Sequence, residues 1–410
     1  MKKILVGVKH REALESIRFM NYFQEKNKWS IEFSLVTFFE LTNKEIEVIS
    51  KEGIKFISVD WGIPYIQGDG KDSKLRKLYK TYLIYNIFKK NLKMEYEGVL
   101  ISPGGYLLDQ LIAFAITNNI PSYILQNGFI APIEKKEKAN TNNTYLYGVL
   151  SIFSNFFLSR LKLKESTEYP VHLTFGKEYS DYLNSLNKPN RESISVGCPR
   201  FFELDEEKND RLTPPYRALY LSSSALYENE LELHEMIKLQ INEIAQKIDH
   251  ETIELHLRPH PRDDFNWEKD SLSEYIKIVD NSESVLTQVQ DYDFIIAERS
   301  TAVLQSILLG KIGFWITMDD ERKYEYDYIC HETVDTMLSD IMNSIGDKDY
   351  YLNLHNKQKE IIRILIEATG EEATYKILTS VLGPISVPTG KTNLTEYLDY
   401  LQLVKNNLDA

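Results

Sequence analysis

The sequence predicts an α/β fold of two Rossmann-like, doubly wound domains facing across a cleft. Three observations predict it. Short apolar runs alternate with stretches of helical period, the pattern of a parallel sheet with helices on both faces. The alternation breaks at a polar, proline-marked stretch and then starts again. At 410 residues the chain is too long for one ordinary core. Two halves of similar size leave a cleft between their C-terminal strand edges, where open parallel sheets take up ligands.

In the first half, strands are expected at Ile4–Val8, Ile31–Thr37, Phe56–Val59, Gly98–Ser102, Ser122–Gln126 and His172–Phe175. Helices are expected over Glu12–Gln24 and Leu107–Thr117. Lys71–Lys93 interleaves lysines with Leu75, Leu78, Leu83 and Phe88, as a basic amphipathic helix would. It is either a solvated face or a contact for anionic headgroups or an anionic acceptor. Phe129–Asn143 is a polar loop, and Tyr147–Lys164 is a helix for the core or for a membrane surface. Ser193–Arg200 is the last strand of this half, closed by Gly197 and Pro199.

The run Asp205–Arg211 and then Thr213-Pro214-Pro215 has linker composition. The expected divisions are therefore two domains, 1–205 and 206–382. Residues 383–410 follow as a loop and an amphipathic helix, capped by Asn393 with Glu396. In the second half, strands are expected at Ala218–Leu221, Ile253–Leu257, Ile276–Val279, Phe294–Ala297 and Ile312–Ile316. Helices cover Asn229–Ile248 and Thr301–Leu309.

Composition narrows the function classes. With 43% hydrophobic and 27% charged residues the chain reads as globular. A net charge of −13 argues against nucleic-acid binding. Met1-Lys2-Lys3 runs into a short strand with no leader pattern, and no run approaches the roughly 20 apolar residues of a membrane span. A cytoplasmic protein is expected, with peripheral contact at the inner face of the membrane if the basic stretches serve it. Cys198 and Cys330 stand in no disulfide, metal or redox motif.

The chemistry concentrates in two segments of the second half. In Arg258-Pro259-His260-Pro261-Arg262 the prolines end a strand in a rigid turn, and two arginines around a histidine suit an anion. One βα unit further, Glu298-Arg299-Ser300-Thr301 joins a strand to a helix, with Ser300 as N-cap. A helix N-terminus facing a cleft is a phosphate cradle. Ser222-Ser223-Ser224 closes another strand at the same edge, and Ser223 joins the anion-binding candidates. Gly390-Lys391-Thr392 lacks the strand and first glycine of a P-loop. Asp291-Tyr292-Asp293 precedes its strand, as a turn and not as a metal motif. No metal site is expected.

These residues resemble a family. His260-Pro261, Ser300-Thr301 followed by Leu304-Gln305 and Gly310-Lys311, the interdomain Gly197-Cys198-Pro199-Arg200 and Ile124–Gly128 are similar to motifs of a bacterial glycosyltransferase group. That group includes capsular polysialyltransferases, Kdo transferases and CDP-glycerol glycerophosphotransferases. The resemblance runs from about Gly98 to Ile316. It implies the GT-B architecture, surface-polysaccharide synthesis and a nucleotide-activated donor, often cytidine-based, without a metal or cofactor. Carried over by position, His260 binds the donor phosphate, and Ser300 and Thr301 complete its cradle. Many relatives have histidine at Asn127 and glutamate at Gln305. Glu298 is close enough in sequence to supply that carboxylate.

The expected reaction moves a sugar to a saccharide or lipid-linked acceptor, so a base is needed from the first domain. His10, beside Lys9 after the first strand, has the right intrinsic pKa. Asp109, after Ser102-Pro103-Gly104-Gly105, is its rival, and Asp69 in Gly68-Asp69-Gly70 is a third candidate. Gly104, Gly105, Lys9 and Asn127 form the acceptor side. Phosphoglycerol transfer, nucleotide-sugar 2-epimerisation and non-catalytic carbohydrate binding are the alternatives.

Overall fold

The computed structural model describes residues 1–8, 11–37, 39, 41–58, 86–92, 95–102, 106–126, 170–185, 192–204, 214–223, 231–260, 267, 274–281, 284–298, 300–316, 326, 328–388, 396 and 398–400. Their strands form two parallel sheets. The first comprises β1 (Lys2–Val8), β2 (Ile31–Thr37), β3 (Lys55–Phe56), β4 (Gly98–Ile101), β5 (Ser122–Leu125), β6 (Val171–Thr174) and β7 (Ser193–Ser195), in the order β3-β2-β1-β4-β5-β6-β7. The second comprises β8 (Tyr216–Leu221), β9 (Ile253–Arg258), β10 (Ile276–Ile278), β11 (Phe294–Ala297), β12 (Ile312–Ile316) and β13 (Cys330–His331), in the order β10-β9-β8-β11-β12-β13. In both, the chain winds outward one way from its first strand and then returns to wind the other. Each sheet therefore has a switch point, between β1 and β4 and between β8 and β11.

A strand lies at each expected place, three of them with the expected ends: Ile31–Thr37, Phe294–Ala297 and Ile312–Ile316. By contrast, β3 shares only Phe56 with the expected Phe56–Val59, and β7 stops at Ser195, short of the expected Arg200. Central strands such as β4, β11 and β12 are buried at every residue. Helices cover both faces, so an unbroken apolar run is what such a strand requires. In the first half the helices are α1 (Arg11–Lys26), α2 (Asn43–Lys51), α3 (Tyr106–Thr117) and α4 (Lys177–Ser185). The second half has α5 (Leu231–Lys247), α6 (Val285–Gln288), α7 (Thr301–Leu308), α8 (Val334–Gly346) and α9 (Lys348–Leu365), and then α10 (Gly370–Leu382). Sequence reading passed over α2, whose start is a capping box between Thr42 and Glu45. It also left α8, α9 and α10 unassigned.

The chain passes between the halves twice, and the two passages touch. The Cys198 amide donates to the Ala368 carbonyl at 2.9 Å, and the Gly370 amide donates to the Cys198 carbonyl at 3.3 Å. Gly197 makes this approach, with φ +88° and no Cβ, where a Cβ would lie 2.1 Å from the Ala368 carbonyl oxygen. Around the passages Phe19, Phe23, Phe175 and Phe201 of the first half pack in one cluster with Leu304, Leu308 and Leu365 of the second.

The return passage brings the end of the segment 206–382 back to the first half. Its last helix, α10, lies on the first sheet, where Ile377, Leu378 and Val381 share a core with Ile4 and Val6. Lys2 Nζ also donates to the Leu382 carbonyl at 2.7 Å. The chain end follows it. Residues 396 and 398–400 are helical, and Tyr400 stacks on Tyr22 at 4.4 Å while its hydroxyl donates to the Arg18 carbonyl at 3.0 Å. Asn393, the expected cap, lies outside the described residues.

Of the basic stretch Lys71–Lys93, residues 86–92 are described. Phe88 is buried there, and Lys89 and Lys90 are exposed. Phe129–Asn143, Tyr147–Lys164 and the linker Asp205–Arg211 lie outside the described residues. Among those described, no helix is long and apolar enough to cross a membrane.

Candidate functional site

Strand register brings the second-half candidates to one level. Leu221 is paired with Arg258 on one side and with Ala297 on the other. The residues that follow these three strand ends are Ser222-Ser223, Pro259-His260 and Glu298 to Thr301. They leave the sheet side by side at the switch point. Parallel pairing alone achieves this, since it puts the C-terminal ends of β9, β8 and β11 on one edge.

His260 is half-buried, and its backbone amide donates to the Ser222 hydroxyl at 2.7 Å. Ser223, beside it, is half-buried too, and its Oγ is shielded from solvent without a hydrogen-bond partner. Leaving such a hydroxyl unsatisfied costs about 1–3 kcal/mol, a cost that a ligand oxygen can relieve. Ser300 caps α7 as expected, its side chain accepting from the Ala302 amide at 3.2 Å. The Trp315 indole on β12 donates to the Ser300 carbonyl at 3.0 Å and fixes the cap from the neighbouring strand. Thr301, half-buried, opens the helix at its positive end.

Arg258, Gln305 and Glu298 are all buried. Arg258 is 5% exposed and turns beneath the strand end. Its guanidinium donates to Gln288 Oε1 at 2.5 Å and to the Asn281 carbonyl at 3.2 Å. It therefore ties the end of β9 to the residues after β10. Gln305 is buried, and its amide donates to the Arg200 carbonyl at 3.1 Å. It ties α7 to the passage between the halves. Glu298 is 7% exposed, on the sheet face opposite Arg258. Burial and then the Glu298 charge push the nearby Tyr220 phenol well above its usual pKa. That phenol stays protonated and donates to Gln240 Oε1 at 2.6 Å. Arg262 lies outside the described residues.

On the first sheet the same register holds, with Gly7 paired to Ile101 and Ile101 to Ile124. Lys9 and His10 follow β1, Gly104 and Gly105 follow β4, and Asn127 follows β5. All five, with Asp69, lie outside the described residues. Asp109 stands in the first turn of α3, nothing of its side chain being described. Beneath this edge is a recess lined by Val6, Val8, Ala13, Ile17, Ser102 and Gln126, among others. Asp293 has the expected structural role, as its carboxylate accepts from the Arg217 amide at 2.9 Å. Burial raises the Cys198 thiol pKa, so this cysteine is an inert core group. No cluster of three metal-ligating side chains occurs among the described residues.

Comparison with known proteins places the fold. No family model matches the chain, and no curated protein matches it in sequence. Solved structures do match. CalG4, the calicheamicin glycosyltransferase, superposes with a TM-score of 0.58 at 11% identity, over 94% of this chain and 100% of its own. The glycosyltransferase SnogD from Streptomyces nogalater gives 0.53 at 11% identity, over 93% and 100%. The UDP-GlcNAc 2-epimerase from Neisseria meningitidis, bound to UDP-GlcNAc, gives 0.53 at 14% identity, over 93% and 99%. The chain has the two-domain α/β fold of these structures, the GT-B fold.

Proposed function

We propose that this chain is a GT-B glycosyltransferase that takes a nucleotide-sugar donor at the C-terminal edge of its second sheet. One observation carries the reading. Ser223, His260 and the Ser300–Thr301 helix start emerge level with one another across the β8–β11 switch point. A diphosphate there meets a helix N-terminus, hydroxyls and an imidazole. Arg262 is assigned to the same anion by its place in the sequence, two residues after His260, and Glu298 to the nucleotide.

The reaction follows from that placement. An acceptor hydroxyl attacks the anomeric carbon of the donor, the bond from that carbon to the phosphate oxygen breaks, and the electron pair leaves with the phosphate. His260 and the helix N-terminus stabilise the charge gathering on that oxygen. The acceptor proton passes to a base on the first sheet's edge, His10 or Asp109. Lys9, Gly104, Gly105 and Asn127 border the acceptor. It is a saccharide or lipid-linked molecule, and the exposed Lys89 and Lys90 offer one contact for an anionic inner-leaflet surface.

The sequence resemblance favours a cytidine-type donor, whereas the Neisseria structure holds UDP-GlcNAc. A thermal-shift screen with CMP, CDP, UDP, GDP and ADP decides between them. One nucleotide is expected to stabilise the protein by about 2.7 kcal/mol at a hundred times its Kd. A melting temperature unmoved by all five would sink the reading. The likeness to an epimerase favours a second reading, which the same protein tests. Epimerised UDP-GlcNAc formed without any acceptor would establish it.

A further inference from the structure

The His260 turn has little backbone left to give. Pro259 and Pro261 carry no N–H. Between them and β9 stand the Arg258 carbonyl, the Pro259 carbonyl and the His260 amide, and each is taken by a neighbouring strand end. The Ser222 amide donates to the Arg258 carbonyl at 3.1 Å, and the Ser222 hydroxyl accepts from the His260 amide at 2.7 Å. From the other side, Asn281 Nδ2 donates to the Pro259 carbonyl at 3.2 Å.

Asn281 is itself held by Arg258, the neighbour of the proline it braces. Arg258 Nη2 donates to the Asn281 carbonyl at 3.2 Å while Arg258 Nη1 reaches Gln288. Gln288 Nε2 in turn donates to the Asp280 carbonyl at 3.0 Å. The bonds close a ring around the turn, with the buried guanidinium at its centre. Ser222 follows β8, and Asn281 follows β10, so the turn after β9 is gripped from both neighbouring strands.

We propose that Ser222 and Asn281 are positioning residues that hold the His260 turn in its anion-receiving shape, with Arg258 as the buried brace of Asn281. The proposal rests on the donor-site reading above. An imidazole on a backbone fixed at both carbonyls and at its own amide meets a phosphate without first being ordered. The affinity of the site then depends on two side chains that never touch the ligand.

Three readouts on Ser222→Ala and Asn281→Ala test this, in the full chain. Hydrogen exchange at the His260 amide, followed by NMR, is expected to quicken at least about tenfold in each variant. The Ile295 amide in β11 serves as the control for global opening and should hold its rate. The His260 ring resonance should shift toward an averaged environment. Affinity for whichever of CMP, CDP, UDP, GDP or ADP the wild type binds should fall about tenfold, which is about 1.4 kcal/mol. An unchanged His260 amide and ring signal in both variants would overturn the clamp. A loosened turn with unchanged nucleotide affinity would overturn its role in binding. A wild type that binds none of the five nucleotides removes the donor-site reading instead, and exchange at His260 still decides whether the clamp exists.

Discussion

Replacing His260 with alanine is expected to lower turnover at least about a hundredfold, or about 2.7 kcal/mol of transition-state stabilisation. Nucleotide affinity should fall with it. His260 follows the end of β9, level with the helix start that Ser300 caps, and in the proposed donor site it would meet the phosphate in the ground state as well. The charge it faces grows as the sugar leaves, and the kinetic loss should therefore exceed the binding loss. A base substitution should give the opposite signature. His10→Ala or Asp109→Asn should spare nucleotide affinity while slowing turnover by roughly 10²–10⁴. Initial rates and nucleotide titrations on each variant separate the two roles. Normal binding and normal rate in His260→Ala would remove the central residue of the donor site. Should neither base variant slow turnover, the base lies elsewhere and the donor site is untouched.

Gly197→Ala should have the largest effect on stability. The residue sits at φ +88°, where an L side chain costs roughly 1–2 kcal/mol. The added methyl would also lie 2.1 Å from the Ala368 carbonyl oxygen, a backbone atom of the return passage. Relief requires the two passages to move apart, which breaks the bond from the Cys198 amide to Ala368. Overpacking of this kind costs about 1–3 kcal/mol more. A loss of about 3 kcal/mol and a melting temperature several degrees lower are expected. A melt within a degree of wild type would show that the passages do not depend on this contact.

Much of the architecture was legible because parallel strands buried on both faces leave a plain signature. Phe294–Ala297 and Ile312–Ile316 are apolar runs of strand length between polar stretches, Ile31–Thr37 is a largely apolar one interrupted by Glu32 and Ser34, and the structure uses all three with those ends. The three helices after His331 were passed over, although α9 buries Tyr351, Leu354, His355, Gln358, Ile362 and Leu365 at helical spacing. Two polar residues on that stripe hide its period. Gln358 is buried because its amide bonds both the amide and the carbonyl of Gly313, as a strand would. No hydropathy pattern contains that.

The site was legible by edge and hidden in detail. The strands were enough to put the Arg258–His260 turn and the Ser300 helix start at one level. The inward turn of Arg258 was also available. It shares strand parity with His256, while Leu255 and Leu257 take the face toward α5. Asn281 and Gln288 could not be found in this way. They meet Arg258 only because β10 lies beside β9, and sheet order is not written in local sequence. The return of α10 to the first sheet was hidden for the same reason, since an amphipathic helix does not name its partner.

The most direct test is the position of a bound nucleotide. A crystal structure with the best ligand from the screen should put its phosphate oxygens within hydrogen-bond distance of the His260 imidazole, the Ser223 hydroxyl and the first amides of α7. Ser223 Oγ should then have the partner it now lacks. A nucleotide seated only against the first sheet, with His260 and the start of α7 untouched, would contradict the account.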